Sequence, residues 1–408
     1  MGTPTVRVQV PTSKSISNRL LMMQHTCGLK GALLQLSEAD DTRLLQSLLQ
    51  RIDAASADGQ TELHVHDCGT AFRFLLPYLA LRKGHWRIVG DGRMRQRPIR
   101  PLVEALQGWG AQITMPETGS LPIDIVGTPS LHPCDTFVDV SESSQFLSAL
   151  LLALPMLKTP VRLRYAKDAA SMPYVRMTVG LLQQCGLRLR QTEGEISYQP
   201  VERLNVSRNW IVPADWSSAA FWWAWTAVCP TALRVEIPGL YDSDIQADAE
   251  VHRRMEPWGI HSFFTPQGAV VEKRGALSLP SRIYWEGRDC LDLVPLMLVC
   301  TLLLQRPAVF GGVGNLQFKE SDRVEALRAN LRGIASFRKM SDRLYVRPLD
   351  VSAREYAFSA FRDHRVVMSL SLFSSMAKPH FDHPEVVSKS YPGFWEQLAH
   401  AVACAKNG

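Results

Sequence analysis

Four stretches of the chain share an amphipathic helical pattern that ends at a glycine and runs on into a strand-like segment. They read LVEALQGWGAQI, TVGLLQQCGLRL, EVHRRMEPWGIHSF and VEALRANLRGIASF, and their glycines are Gly110, Gly186, Gly259 and Gly333. A glycine just past a helix adopts the left-handed conformation that closes it. The spacing of roughly 75 residues predicts a structural repeat. Helices beginning near Arg43 and Phe394 are interpreted as irregular first and last copies.

A second helix family alternates with the first. Its members are almost entirely apolar after a polar start, and they open at Ser13, Asp67, Ser143, Asp215, Asp292 and Asp363. A helix that is apolar on every side must be buried between other elements. The short runs WRIVG, VRLRY, LRVEI and AVFGG follow these helices and are typical of strands.

The two helix families together predict an α/β protein of six similar units, three to a domain. The apolar helices should lie inside each domain with sheets around them, because a single unit cannot bury such a helix alone. The boundary falls near WIVPADWSS, where the third unit ends and the fourth begins. We expect one lobe to comprise residues 1–12 and 214–408, since the chain re-enters it, and the other to comprise residues 13–213.

Composition narrows the class of protein only modestly. The chain has 408 residues, 46% of them hydrophobic, and a net charge of +6, which permits an anionic ligand without indicating nucleic acid. The eight cysteines form no C-x-x-C pair, so no metal site is expected. The amino terminus lacks a signal-peptide pattern, and the apolar runs are too short to cross a membrane. The sequence therefore predicts a cytoplasmic protein without a membrane partner.

Basic residues recur where the predicted helices start. The set comprises Lys14, Arg19, Arg73, Arg93, Arg95, Arg97, Lys319, Arg323, Arg365 and Lys389. Ser or Asp at such a position can be explained as a helix cap. A cation cannot, because it opposes the positive end of the helix dipole unless a negative group compensates it. The recurrence predicts a shared anionic ligand.

Hydroxyl and carboxyl groups accompany these cations. Ser143, Ser144 and Gln145 lie in SESSQF, and Ser171 and Tyr174 lie in SMPYV; such donors suit phosphate oxygens and sugar-like hydroxyls.

Two acids stand out. Asp292 begins an apolar helix with no basic residue beside it in the sequence, and Glu320 lies between Lys319 and Arg323. A carboxylate among cations is a candidate for proton transfer.

Seven motifs occur in an order that resembles the EPSP synthase (3-phosphoshikimate 1-carboxyvinyltransferase) family. They are SKSISNR, CGTAFR, RMRQRPI, SSQFLSALL, KESDR, DHR and SKSYPGFW, and they extend over nearly the whole chain. The resemblance implies a two-domain, inside-out α/β barrel with three βαβαββ units in each domain. It also implies an active site in the cleft between the domains, which closes over the substrates.

The resemblance implies transfer of the enolpyruvyl group of phosphoenolpyruvate to the 5-hydroxyl of shikimate 3-phosphate, without an organic cofactor or a catalytic metal. Asp292 corresponds to the base on the hydroxyl, and Glu320 and Lys14 to the groups that move protons at the enolpyruvyl carbon. The implied shikimate 3-phosphate site is Lys14, Ser15, Arg19, Ser143, Ser144, Gln145, Ser171, Tyr174, Asp292, Asn315 and Lys319. The implied phosphoenolpyruvate site is Lys14, Gly69, Arg97, Gln145, Arg323, Arg365 and Lys389.

Several positions depart from the family pattern. Asp67 and Cys68 replace Asn-Ala, and a carboxylate at Asp67 would repel phosphoenolpyruvate unless it turned away or paired with Arg73 or Arg97. Further departures are Thr12 in place of glycine, Phe74 of proline, Met172 of a basic residue and Gln317 of arginine.

Two alternatives stay open at the level of sequence. The chain could be a degenerate member that binds shikimate 3-phosphate without turnover, or it could be the enolpyruvyl transferase that acts on UDP-N-acetylglucosamine. The Lys14-Ser15 pair favours the shikimate substrate over the second alternative. We expect a monomer whose partners are small anionic substrates.

Overall fold

The computed structural model describes residues 4–56 and 59–407, which divide into two compact units. The first unit comprises the described chain up to Ser13 together with the chain from Pro213 onward, and the second comprises Lys14–Val212. The helices are α1 (Lys14–Thr26), α2 (Asp40–Asp53), α3 (Gly69–Ala80), α4 (Arg100–Gly108), α5 (Gln145–Ala153), α6 (Met172–Gln184), α7 (Trp216–Val228), α8 (Glu250–Met255), α9 (Leu293–Leu303), α10 (Arg323–Asn330), α11 (His364–Leu370) and α12 (Phe394–Asn407).

The strands form separate small sheets around these helices. They are β1 (Thr5–Arg7), β2 (Leu33–Leu34), β3 (Gln60–His64), β4 (Gly84–Val89), β5 (Gln112–Thr114), β6 (Ile123–Gly127), β7 (Thr136–Phe137), β8 (Val161–Arg164), β9 (Arg188–Thr192), β10 (Glu195–Gln199), β11 (Trp210–Ile211), β12 (Arg234–Pro238), β13 (Ile260–Thr265), β14 (Gly268–Lys273), β15 (Ile283–Glu286), β16 (Ala308–Gly311), β17 (Ala335–Met340), β18 (Arg343–Pro348), β19 (Glu355–Phe358) and β20 (Lys378–Phe381).

Four sheets share one topology, which explains the repeat. Their strand orders are β3-β4-β6-β5, β7-β8-β10-β9, β1-β12-β14-β13 and β15-β16-β18-β17. In each, the first two strands are parallel and the remaining pairings are antiparallel. Parallel neighbours need a crossover, and a buried helix supplies it, whereas a tight turn suffices for the closing hairpin. Each such repeat is therefore βαβαββ.

One repeat in each unit is shorter. In the described residues, the sheets β11-β2 and β19-β20 have two parallel strands, with α2 and α12 as the second helices. These are the irregular copies that the sequence places near Arg43 and Phe394. The family fold is thus confirmed, with two complete repeats and one βαβα repeat in each unit.

The first strand of one repeat in each unit comes from a distant part of the chain. β1 pairs in parallel with β12, while β11 pairs in parallel with β2. The chain therefore changes unit twice, after Ser13 and after Val212. Thr12 forms an antiparallel bridge with Ala214 at this crossing, within the first unit, and it does so without the left-handed backbone that a glycine would allow.

The apolar helices form the centre of each unit. In the second unit α1, α3 and α5 contact one another, and in the first unit α9 contacts both α7 and α11. Every residue of α9 up to Leu302 is buried, and α7 contributes four fully buried tryptophans at positions 216, 222, 223 and 225. The helix pattern apolar on all sides therefore predicted burial correctly.

The glycines that end the second helix family have the predicted conformation. Gly110, Gly186, Gly259 and Gly333 have φ angles of 92°, 92°, 93° and 82°, which lie in the left-handed region. A side chain there would be strained by contact with the following carbonyl. Among the helices described, none is both long and apolar enough to cross a membrane.

Candidate active site

Lys14 opens α1 at the point where the chain enters the second unit. Its Nζ lies 2.9 Å from Asp41 Oδ2, and the two side chains are only 15% and 7% exposed. Ser15 follows at the same helix start and is half-buried. The sequence does not indicate a partner for Lys14. In the structure Lys14 is paired with Asp41, from the first turn of α2.

Arg19 lies one turn further along α1 and is almost fully buried. Its Nε donates to Thr178 Oγ1 at 2.7 Å, and its terminal nitrogens donate to the Ser15 and Tyr174 carbonyls at 2.9 and 3.1 Å. These acceptors are all neutral. Burial lowers the pKa of Arg19 to about 10, because a charge removed from water without a carboxylate beside it is disfavoured.

Two aromatic rings cover the Arg19 guanidinium. Its central carbon lies 5.4 Å from the Phe74 ring centroid and 5.9 Å from the Tyr174 ring centroid. Phe74 stands where the family commonly has proline, so this departure adds a cation–π contact. Neutral rings and neutral oxygens hold the charge in place without cancelling it.

Two arginines lie near the start of α3: Arg73 is part of the helix itself, and Arg97 follows the 3-10 turn Gly92–Gln96. Arg73 donates to Gln145 Oε1 at 2.9 Å and to the Pro98 carbonyl at 3.1 Å. A Cβ built on Gly69 would lie 2.4 Å from Arg97 Nη1, so the guanidinium rests directly against this glycine. Of the three arginines in RMRQRPI, Arg97 is buried, whereas Arg93 and Arg95 are exposed.

The hydroxyl-bearing residues cluster at the starts of α5 and α6. Ser144 Oγ donates to the Ser171 carbonyl at 3.2 Å, and Ser143 Oγ accepts from the backbone N–H of Gln145 at 3.3 Å. Ser171 has a φ of 59°, which is left-handed and unusual for a residue with a side chain. Tyr174, one turn into α6, links this group to Arg19 through its carbonyl. The Ser144–Ser171 hydrogen bond thus joins the two helix starts of a single repeat.

The polar residue at a helix start is not always its cap. Asp215 and Asp363 accept backbone N–H bonds at the starts of α7 and α11, as simple capping predicts. In α3, however, the cap is the Cys68 sulfur, which accepts from the Ala71 N–H at 3.4 Å, and the preceding Asp67 is exposed. The interpretation of Asp67 as the residue that opens this helix is wrong by one position.

Asp292 contacts three of the basic candidate site residues in the first unit. Its Oδ1 lies 2.7 Å from Arg323 Nη1 and 3.7 Å from Lys319 Nζ, and its Oδ2 lies 3.9 Å from Arg365 Nη2. Burial by itself would raise the pKa of Asp292, but these three cations outweigh it and hold the pKa far below its usual range. No basic residue is adjacent to Asp292 in the sequence, but the fold places three cations beside its carboxylate.

Arg323 is buried and contacts three carboxylates. Besides Asp292, it donates to Glu320 Oε2 at 2.9 Å, and its Nε donates to Asp363 Oδ2 at 2.9 Å. Burial would lower the pKa of Arg323, but the carboxylates raise it above its ordinary value. Its charge is therefore balanced within the protein, in contrast to that of Arg19.

The remaining predicted residues of the first unit lie on neighbouring elements. Arg365 donates to the Ser217 carbonyl at 2.7 Å. Lys389 is buried at the end of the 3-10 turn Pro384–Lys389, which packs against α11, the helix of Arg365. Asn315 lies half-buried in the 3-10 turn Gly314–Phe318, and Lys319 follows it.

Three carboxylates at these sites were not among the predicted site residues. Asp41 pairs with Lys14, and Asp363 holds Arg323 while it caps α11. Asp248 is buried and accepts from Ser217 Oγ; burial, reinforced by nearby Asp292, raises its pKa to about 7. A carboxylate in a sequence gives no sign of burial, but its position at the first turn of a predicted helix could have singled out Asp41.

The contacts of Arg323 generate a stability prediction. Replacing it (Arg323→Met) removes the buried cation that contacts three carboxylates, so we expect the free energy of unfolding to fall by roughly 3–5 kcal/mol. The matched control is Arg328→Met in the same helix, since the Arg328–Glu325 pair is exposed and 3.5 Å long. An exposed pair is worth less than about 1 kcal/mol. Urea unfolding followed by circular dichroism measures the stability of both variants. Equal losses of stability would contradict a structural role for the buried ion pairs of Arg323.

Comparison with known proteins identifies the family of the chain. A profile of the family described as EPSP synthase (3-phosphoshikimate 1-carboxyvinyltransferase) matches residues 4–398. The 3-phosphoshikimate 1-carboxyvinyltransferase of Bacteroides fragilis (strain YCH46) is 32% identical over 409 residues, covering 97% of this chain and 94% of the relative. That of Idiomarina loihiensis is 30% identical, covering 96% and 95%.

Solved structures show the same fold at lower identity. An EPSP synthase from Acinetobacter baumannii superposes with a TM-score of 0.75 at 21% identity, covering 98% of this chain and 96% of that one. The enolpyruvyl transferase NikO from Streptomyces tendae gives 0.70 at 15% identity, covering 98% and 95%. The fold is that of the enolpyruvyl transferases. Within that class, the chain belongs to the EPSP synthase (3-phosphoshikimate 1-carboxyvinyltransferase) family.

Proposed function

We propose that the chain transfers the enolpyruvyl group of phosphoenolpyruvate to the 5-hydroxyl of shikimate 3-phosphate, releasing phosphate. Membership of the family supports this reaction over that on UDP-N-acetylglucosamine. The observation that carries the proposal is the charge state of Arg19, a buried cation whose protein partners are all neutral. A polyanionic substrate such as shikimate 3-phosphate would compensate this buried charge.

Shikimate 3-phosphate is assigned to the hydroxyl-rich residues of the second unit and to a few from the first. The set is Lys14, Ser15, Arg19, Ser143, Ser144, Gln145, Ser171, Tyr174, Asp292, Asn315 and Lys319. Support comes from the hydrogen bond between Ser144 and Ser171, since it brings two of these hydroxyl-bearing segments together. Serine and amide donors bind phosphate oxygens, and the cations balance the charge.

Phosphoenolpyruvate is assigned to Lys14, Gly69, Arg97, Gln145, Arg323, Arg365 and Lys389. The contact of Arg97 with Gly69 supports this assignment, because only a residue without a side chain lets the guanidinium lie at the start of α3. Asp67 is exposed at the same helix start.

The low pKa of Asp292 makes it a weak base before substrate binds. An anion bound by Arg323 and Arg365 would offset the positive charge that lowers the pKa of Asp292. The pKa of Asp292 should therefore rise when phosphoenolpyruvate is present. Asp292 then accepts the proton of the 5-hydroxyl as its oxygen bonds to C2 of phosphoenolpyruvate. Glu320, assisted by Lys14, delivers a proton to C3. The tetrahedral adduct next loses phosphate from C2 and a proton from C3, which restores the enol ether.

A phosphate-release assay with both substrates tests the function. We expect release of inorganic phosphate that depends on shikimate 3-phosphate and on phosphoenolpyruvate together. UDP-N-acetylglucosamine in place of shikimate 3-phosphate should give none. Normal binding of shikimate 3-phosphate with no phosphate released would instead support a degenerate, non-catalytic member, and would overturn the proposal.

The role of Glu320 can be tested separately. The change Glu320→Gln keeps the size of the side chain but removes the transferable proton, so we expect kcat to fall about 10² to 10⁴-fold. Binding of shikimate 3-phosphate should change little. Glu325→Gln, an exposed site in the helix that follows, is the matched control and should retain the wild-type kcat. An unchanged kcat in Glu320→Gln would remove Glu320 from the chemistry.

A further inference from the structure

Three side chains able to bind a metal lie together where two parallel strands end. His64 is the last residue of β3, His66 follows it, and Asp91 follows the end of β4. The two segments continue side by side beyond the strands: the Val65 N–H donates to the Val89 carbonyl at 2.8 Å, and the Asp91 N–H donates to the His66 carbonyl at 3.0 Å. The backbone therefore fixes the positions from which the three side chains project.

The side chains converge on one point. His66 Nδ1 lies 2.9 Å from Asp91 Oδ2, and His64 Nε2 lies 3.3 Å from Asp91 Oδ1. The two imidazole centroids are 4.2 Å apart. One ligand atom from each residue can be chosen so that all three lie within 4.8 Å of one another. Ligand atoms of a tetrahedral zinc site are separated by about 3.4 Å, as bond lengths of about 2.1 Å require. Small side-chain rotations therefore suffice to surround an ion.

The chemistry of the three groups suits a transition metal. Two imidazoles and one carboxylate are ligands that Zn²⁺ accepts, and a site with three protein ligands leaves a position for water. His66 and Asp91 are exposed, so an ion can enter from solvent. These residues have no part in the proposed enolpyruvyl transfer. The sequence predicts no metal site, because its cysteines form no C-x-x-C pair.

One rearrangement accompanies binding. The His66 N–H donates to His64 Nδ1 at 3.2 Å, so neutral His64 carries its proton on Nε2. Coordination through Nε2 moves that proton to Nδ1 and breaks this long hydrogen bond. The loss is small, because a single neutral hydrogen bond at an exposed site contributes little net stability.

We propose that His64, His66 and Asp91 form a binding site for one divalent transition-metal ion, with Zn²⁺ as the occupant. The ion would join the segment that leads to Gly69 with the segment that leads to Arg97. It would therefore hold together the ends of β3 and β4 from which the start of α3 and Arg97 continue.

Calorimetric titration of Zn²⁺ into the untagged, metal-free full chain tests the site. We expect one ion per chain, and at least tenfold weaker binding after His64→Asn or His66→Gly. His66→Gly is the more informative variant, because His66 has a φ of 47° that glycine adopts without strain, so folding should be preserved. The matched control is His383→Asn, which breaks another exposed histidine–carboxylate pair, His383–Glu385, and should leave binding unchanged.

Co²⁺ in place of Zn²⁺ identifies the ligands by absorption. The proposal predicts the visible bands of a nitrogen–oxygen site without a sulfur-to-cobalt charge-transfer band, and loss of those bands in His66→Gly. No binding, equal binding in the variants, or a charge-transfer band from a cysteine would each overturn it. In those cases His64 and His66 form only ion pairs with Asp91 and bind no metal. None of these readouts depends on enolpyruvyl transfer, so failure here leaves the proposed function standing.

Discussion

The requirement that buried positive charge be compensated governs both units of this protein. In the first unit, Arg323 meets the requirement internally, because Asp292, Glu320 and Asp363 surround its guanidinium. In the second unit, Arg19 is equally buried but its hydrogen bonds end on a hydroxyl and two carbonyls. The opposite pKa shifts of the two arginines express this difference, since carboxylates raise one and burial lowers the other. Arg323 thus has carboxylate partners within the protein, whereas the hydrogen-bond acceptors of Arg19 are neutral.

The repeat explains why these charges occur where they do. Each buried helix starts with N–H groups that lack an intrahelical partner, and such groups favour an anion. Adding Lys14 or Arg365 at such a start opposes the helix dipole and lowers stability unless a negative group is near. Local rules of stability are broken mainly where function requires it. The apolar helices form the centre of each unit, and several of the proposed site residues lie in or next to their first turns.

Local patterns predicted the fold well and the site only in part. The four helix-ending glycines and the apolar helices depend on neighbours in sequence, and both were predicted correctly. The partner of Lys14 lies on the next helix, and Asp363, which holds Arg323, begins a helix in another repeat. The first pair forms only when the two helices of one repeat pack together, and the second only when two repeats pack together. For the same reason, Asp292 could not be recognised from sequence as the hub of three cations.

We propose that the buried charge of Arg19 binds an anionic group of shikimate 3-phosphate. Calorimetric titration of shikimate 3-phosphate into the wild type and into Arg19→Met measures this directly, with circular dichroism to verify that the variant is folded. We expect Arg19→Met to bind shikimate 3-phosphate at least 100-fold more weakly than the wild type, because a desolvated charge pair is lost, and Arg19→Lys to recover part of this affinity. A folded Arg19→Met variant that binds shikimate 3-phosphate as tightly as the wild type would contradict it.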